Sequence, residues 1–143
     1  MRDLAGLKMK INDLLLYFDT IPETLTVYIF GSFGTALQTA ISDIDFAILF
    51  IKKISLLREM EIAAEISSLL GMEHVDLVNL NTAPVYIQHK IISTADIIYE
   101  KSRFETSNFI EHVLEIHHDY SIIFDKYNRD FYEGLKEELS RAR

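Results

Sequence analysis

The stretch Gly31-Ser32-Phe33-Gly34-Thr35-Ala36-Leu37-Gln38-Thr39-Ala40-Ile41-Ser42-Asp43-Ile44-Asp45 decides how this chain is read. A β-branched and aromatic run at residues 24–30 leads into it and predicts a strand. A nearly all-apolar run at residues 44–51 leads out of it and predicts a second, central strand. Between them lies a turn with two glycines, and residues 35–40 have room for one or two helical turns. Asp43 and Asp45 stand two apart where the second strand begins, so their side chains share one face. Two carboxylates on one face at a strand end cannot both be buried without cations, and such oxygen ligands suit Mg²⁺. Gly31 and Gly34 allow the close backbone approach, and Ser32 the hydroxyl, that a phosphate site needs. Ser42, directly before the carboxylates, is suited to a hydrogen bond that shapes the turn.

Working outward, Leu4, Leu7, Ile11, Leu14, Leu15 and Phe18 recur at helical spacing, and Pro22 closes that segment. After the second strand, Ser55 is placed to cap a helix over residues 56–70 that Gly71 ends. Residues 74–80 predict a third strand and carry a third carboxylate, Asp76. If this strand neighbours that of Asp45, Asp76 joins the same cluster. Residues 83–92 predict a helix with Pro84 in its first turn. Residues 95–99 predict a short fourth strand. Residues 105–143 predict a helical segment, broken near 119–121. The expected fold is therefore α/β (α+β): a mixed central sheet of about four strands flanked by helices, with a long C-terminal helical segment. One domain over 1–143 is expected, with a sheet-bearing core at 1–104 and the helical segment at 105–143.

Composition narrows the chemistry. Of 143 residues, 14 are Lys or Arg and 22 are Asp or Glu, giving a net charge of −8. That balance argues against nucleic-acid binding by bulk charge, yet permits one nucleotide held through metal ions. There are no cysteines, which excludes disulfides, thiolate metal sites and cysteine nucleophiles and makes a cytoplasmic setting the expectation. The apolar runs are far shorter than a bilayer span, so no membrane association is expected. His112, His117 and His118 are spaced too irregularly for one metal-binding helix face, and a solvated or interface role is expected. Tyr120, Phe124, Tyr127 and Phe131 step by 4, 3 and 4, a stripe expected in the core, with a partner interface as the sharper alternative. Lys52, Lys53 and Arg58 are expected to be surface charge, though they are candidates for meeting phosphates. Residues 133–138 read as a solvated helix end.

Gly-Ser, ten residues, Asp-x-Asp and a third Asp on a later strand resemble the signature of the DNA polymerase β-like nucleotidyltransferases. Within that superfamily the chain resembles the minimal nucleotidyltransferase (MNT) antitoxins. The grounds are its length, Ser42 before the carboxylate pair, the segment from Val75 to Asn81, and the closing helix with Tyr120, Phe124, Tyr127 and Arg129. The resemblance implies ATP as donor and two Mg²⁺ ions held by Asp43 and Asp45, with Asp76 completing the metal shell and orienting or deprotonating the attacking hydroxyl. It implies Gly31 and Ser32 on the triphosphate, with Ser42 a candidate beside them. It further implies a partner, a HEPN-domain RNase toxin that receives AMP on a tyrosine hydroxyl, in a hetero-oligomer. One departure stands out: Thr35-Ala36 replaces the Arg-Gly of many members, removing a cation near the phosphates. Two other readings share these residues: an antitoxin that masks its toxin by contact alone, and a small-molecule, aminoglycoside-type nucleotidyltransferase. About 40 residues beyond the last strand are few for the substrate domain of the latter, and a template-copying polymerase lacks its basic surface here.

Overall fold

A computed structural model of the chain describes residues 10–31, 44–73 and 75–141. The described elements run α1 (Ile11–Thr20), β1 (Thr24–Phe30), β2 (Ile44–Phe50), α2 (Leu56–Leu70), β3 (Val75–Asn79), α3 (Val85–Thr94), β4 (Asp96–Glu100) and α4 (Arg103–Arg141). The expected turns at residues 35–40 and the beginning of the first helix lie outside the described residues.

The strands form one mixed sheet in the order β3-β2-β1-β4. β1 pairs antiparallel with both β2 and β4, while β2 and β3 are parallel. The parallel pair needs a crossover, and α2 supplies it. Ser55 caps α2 by accepting the N–H of Arg58 at 3.1 Å, and Gly71 ends it at φ +63°, a left-handed conformation that costs glycine little.

β1 and β2 are buried nearly throughout, as the inner strands of a sheet covered on both faces should be. On one face Val27, Ile29, Phe46 and Ile48 pack with Leu14 and Phe18 of α1 and Ile62 and Ile66 of α2. On the other, Tyr28, Ala47 and Leu49 meet Ile87 and Ile91 of α3 and Phe109 of α4. Beyond β3, Asn81 stands in for another residue of ladder: its side chain accepts the N–H of Phe50 at 2.8 Å and donates to the Phe50 carbonyl at 2.9 Å. That pins the far end of β2.

Three differences from the sequence reading have physical causes. α3 starts at Val85 with Pro84 as its cap residue, because the N–H groups of Thr82 and Ala83 are taken up in a turn onto the Asn79 carbonyl. α4 runs unbroken through residues 119–121. No proline interrupts it, and Asp119 and Ser121 each cost only a few tenths of a kcal/mol in a helix interior. The aromatic stripe of α4 is not core: Tyr120, Phe124, Tyr127 and Phe131 are 50 to 67% exposed. Only Thr106 and Val113 of that helix are buried, so among the described residues its distal half has no sheet beneath it.

Three tyrosines report on packing. Burial, then the Glu100 charge, push the Tyr28 hydroxyl up to about 12. Burial, then a 2.8 Å bond from Tyr99 to Asp19, push the Tyr99 hydroxyl up to about 12. Tyr17 is raised too, first by burial and then by its bond to Glu65. Below the ordinary tyrosine value of about 10 both folded and unfolded chains keep these protons. Above it the unfolded chain ionises first and binds fewer protons, so stability falls between pH about 10 and about 12. Urea unfolding at pH about 9 and about 11 is expected to show that loss. Tyr28→Phe is expected to reduce it without lowering neutral-pH stability, since the Tyr28 hydroxyl has no hydrogen-bond partner among the described residues.

Candidate functional site

The site is built where β1 ends and β2 and β3 begin. Phe30 is the register partner of Asp45 on one side, and Asp76 is its partner on the other. Register partners on neighbouring strands share a face, so the Asp45 and Asp76 carboxylates stand side by side at one end of the sheet. Asp45 is half-buried and Asp76 exposed. The neighbour relation on which the role of Asp76 depended is therefore present.

Gly31 continues β1 past Phe30 with φ +79°. A Cβ at this position would collide with Oδ2 of Asp45 and lie 3.2 Å from its Cγ. The glycine thus serves two needs at once: a left-handed backbone and room for the Asp45 carboxylate against the chain. Sequence reading supplied the first reason in general terms, but not the contact with a residue fourteen positions on.

Ser32, Ser42 and Asp43 lie outside the described residues. Among the described residues no three acidic or imidazole side chains gather closely enough to hold a metal ion. The described part of the site offers two adjacent carboxylates and a glycine cradle, an oxygen-only donor set of the kind Mg²⁺ takes. A further carboxylate, Asp96, opens β4 at the same end of the sheet, but its register partner Ile29 packs on the opposite face from Asp45. The acidic residue after Ala95 was the only signal for it.

The basic residues near β2 do not reach this site. Lys52 and Lys53 follow the far end of the strand, about 20 Å from Asp45 at the usual rise per residue. Arg58 is engaged by Glu23 at 3.0 Å and Glu61 at 3.2 Å. The hydrogen bond to Glu23, above all, raises its pKa further. Of the histidines, His117 stacks on His89 with ring centroids 3.5 Å apart, joining α4 to α3. No helix among the described residues is long and apolar enough to cross a membrane.

Comparison with known proteins agrees with this arrangement. The protein adenylyltransferase MntA of Shewanella oneidensis strain MR-1 is 32% identical over 75 residues, covering 52% of this chain and 53% of that protein. The chain thus matches about half the length of this curated relative. A crystal structure of a toxin–antitoxin with AMP-PNP superposes with a TM-score of 0.67 at 26% identity, over 85% of this chain and 98% of that one. A complex of tri-AMPylated Shewanella oneidensis HEPN toxin with MNT antitoxin shares the fold, with a TM-score of 0.62 at 22% identity over 82% and 96% of the two chains. The profile of the family described as polymerase beta, nucleotidyltransferase matches residues 12–104, a span that takes in Gly31, Asp45 and Asp76 and stops where α4 begins. With the glycine turn and the paired carboxylates inside that span, the chain belongs to the polymerase beta nucleotidyltransferase family.

Proposed function

We propose that this chain is an antitoxin that transfers AMP from ATP to a tyrosine hydroxyl of a HEPN-domain toxin and so neutralises it. The observation that carries the reading is the side-by-side placement of Asp45 and Asp76 beside the Gly31 cradle, in a family of nucleotidyltransferases. The resemblance to a protein adenylyltransferase and to a toxin–antitoxin with AMP-PNP supports the donor and the class of acceptor. Residues 1–104 are the catalytic core in this reading, and residues 105–143 are the helical segment of the same domain.

Asp43, Asp45 and Asp76 would hold two Mg²⁺ ions, whose charge offsets that of the triphosphate and of the leaving pyrophosphate. Gly31 and Ser32 hold the phosphates through backbone N–H groups and a hydroxyl, with Ser42 supporting the turn beside them. Asp76, more exposed than Asp45, orients the acceptor hydroxyl and takes its proton. The hydroxyl oxygen bonds to the α-phosphorus, the bond between the α- and β-phosphates breaks, and pyrophosphate leaves. The acidic surface then suits a protein acceptor better than a nucleic acid.

The test is incubation with ATP, Mg²⁺ and a cognate HEPN-domain toxin, followed by intact mass and tryptic mapping. A gain of one or more AMP units on a tyrosine is the expected result. Neutralisation with no added mass would replace this reading with masking by contact.

A further inference from the structure

The distal half of α4 carries an apolar seam with no cover among the described residues. Val113, His117, Tyr120, Phe124, Tyr127 and Phe131 recur at steps of 4, 3, 4, 3 and 4, the spacing that receives the side chains of another helix. Val113 is buried in the domain, and the aromatic residues beyond it are exposed. Gly134 continues the line with nothing within 4 Å of where a Cβ would stand, leaving room for a neighbouring backbone. A glycine there costs an isolated helix about 1 kcal/mol relative to alanine, so solvent alone gives it no advantage.

Two hollows open along this seam. One, of about 350 Å³, is lined by Tyr86 of α3 and by His117, Tyr120, Ser121, Phe124 and Asp125 of α4. The other, of about 240 Å³, is lined by Asp130, Phe131, Gly134, Leu135 and Glu138. Each combines aromatic surface with carboxylates. Asp125, Asp130 and Glu138 form no salt bridge among the described residues, whereas Glu137 pairs with Arg141 at 3.8 Å. Lys126 and Arg129 line a third hollow with Ile122 and Asp125, yet neither closes on Asp125. An aromatic wall beside an unpaired carboxylate favours a guanidinium or ammonium group.

We propose that the distal half of α4, with Tyr86, is the docking surface for a basic helical protein partner that seats Arg or Lys side chains in these two hollows. Charge selects this occupant. The chain carries a net charge of −8, so a second copy would bring a like net charge to the contact, whereas a basic partner offsets it. A small free cation would leave the seam between and beyond the hollows in water. The proposal rests on the protein-acceptor reading above and gives that acceptor its point of contact.

The experiment measures affinity of the full chain for a cognate HEPN-domain toxin by calorimetry at several salt concentrations. Tyr120→Ala with Phe124→Ala is expected to weaken binding at least about tenfold. Asp125→Asn with Asp130→Asn is expected to flatten the salt dependence, a readout that a loss of packing would not move. All four positions are exposed, so melting temperature is expected to stay unchanged. Leu16→Ala, exposed on α1 across the sheet from α4, is expected to bind as the unaltered chain does. Unchanged affinity in the seam variants, or no binding of the HEPN protein at all, overturns the proposal. So does sedimentation of the chain alone as a dimer that Phe124→Ala dissociates. The two readings fail separately: weakened binding in the seam variants without AMP transfer by the unaltered chain removes the catalytic reading, and AMP transfer with unaltered seam-variant affinity removes the docking surface.

Discussion

Asp45→Asn is expected to reduce AMP transfer by a factor on the order of a thousand while leaving the fold intact. The substitution keeps the shape of the side chain and removes its charge. Position 45 lies between Phe30 and Asp76 in the sheet and is only half-buried, so Asn fits without repacking. What changes is the capacity to hold divalent cations against a triphosphate, which the charge of the carboxylate carries. A second measurement separates this from a folding effect. Like charges on register-paired residues destabilise a sheet, so without divalent cations the Asn variant is expected to melt at the same temperature as the unaltered chain, or slightly higher. With Mg²⁺ and ATP the unaltered chain is expected to gain stability that the variant lacks. Thermal melts in EDTA and in Mg²⁺-ATP, run beside the intact-mass assay, check both halves. AMP transfer at the unaltered rate would remove Asp45 from the chemistry.

Local signals carried most of the fold, and the exceptions share a cause. β1 was legible because Thr24–Phe30 is both β-branched and bounded, and α2 because Ser55 and Gly71 mark its ends with side-chain and backbone chemistry that acts within a few residues. The start of α3 falls later than apolar spacing suggests because Thr82 and Ala83 enter a turn with Asn79, a competition that such spacing does not register. The α4 stripe lies outside the core, and its spacing does not register this because periodicity shows that side chains share a face, and says nothing of what faces them. Val113 and Phe124 follow the same seam, yet one lies in the domain and the other beyond it. The site divides in the same way. Asp43 and Asp45 were candidates from their spacing alone, whereas the partnership of Asp45 with Asp76 depends on strand order, which brings together residues 31 positions apart. The crossover through α2 sets that order, and no motif within either strand announces it.

Gly31→Ala and Gly71→Ala together isolate what the Gly31 cradle does. Both glycines hold positive φ, +79° and +63°, so an alanine at either carries the same kind of backbone strain, about 1 kcal/mol. Their surroundings differ. At Gly71 the nearest atom to an added Cβ is the Lys10 Nζ at 3.4 Å, the mobile end of a long side chain. At Gly31 the added Cβ runs into the carboxylate of Asp45, with Oδ2, Cγ and Cβ of that residue all close. The carboxylate must then turn away from β1, toward Asp76 or out of the plane in which the pair can share a cation. Gly71→Ala is therefore expected to lower stability by about 1 kcal/mol and leave AMP transfer unchanged. Gly31→Ala is expected to lower stability by about 1 to 2 kcal/mol and to cut AMP transfer at least about a hundredfold, because a ligand displaced by even 1 Å loses that much. Urea unfolding gives the first quantity for both variants, and the intact-mass assay gives the second. Equal loss of activity in the two would mean that strain alone is being measured. Loss confined to Gly31→Ala would show that the residue acts through the position of the Asp45 carboxylate, and so that the end of β1 is part of the catalytic geometry.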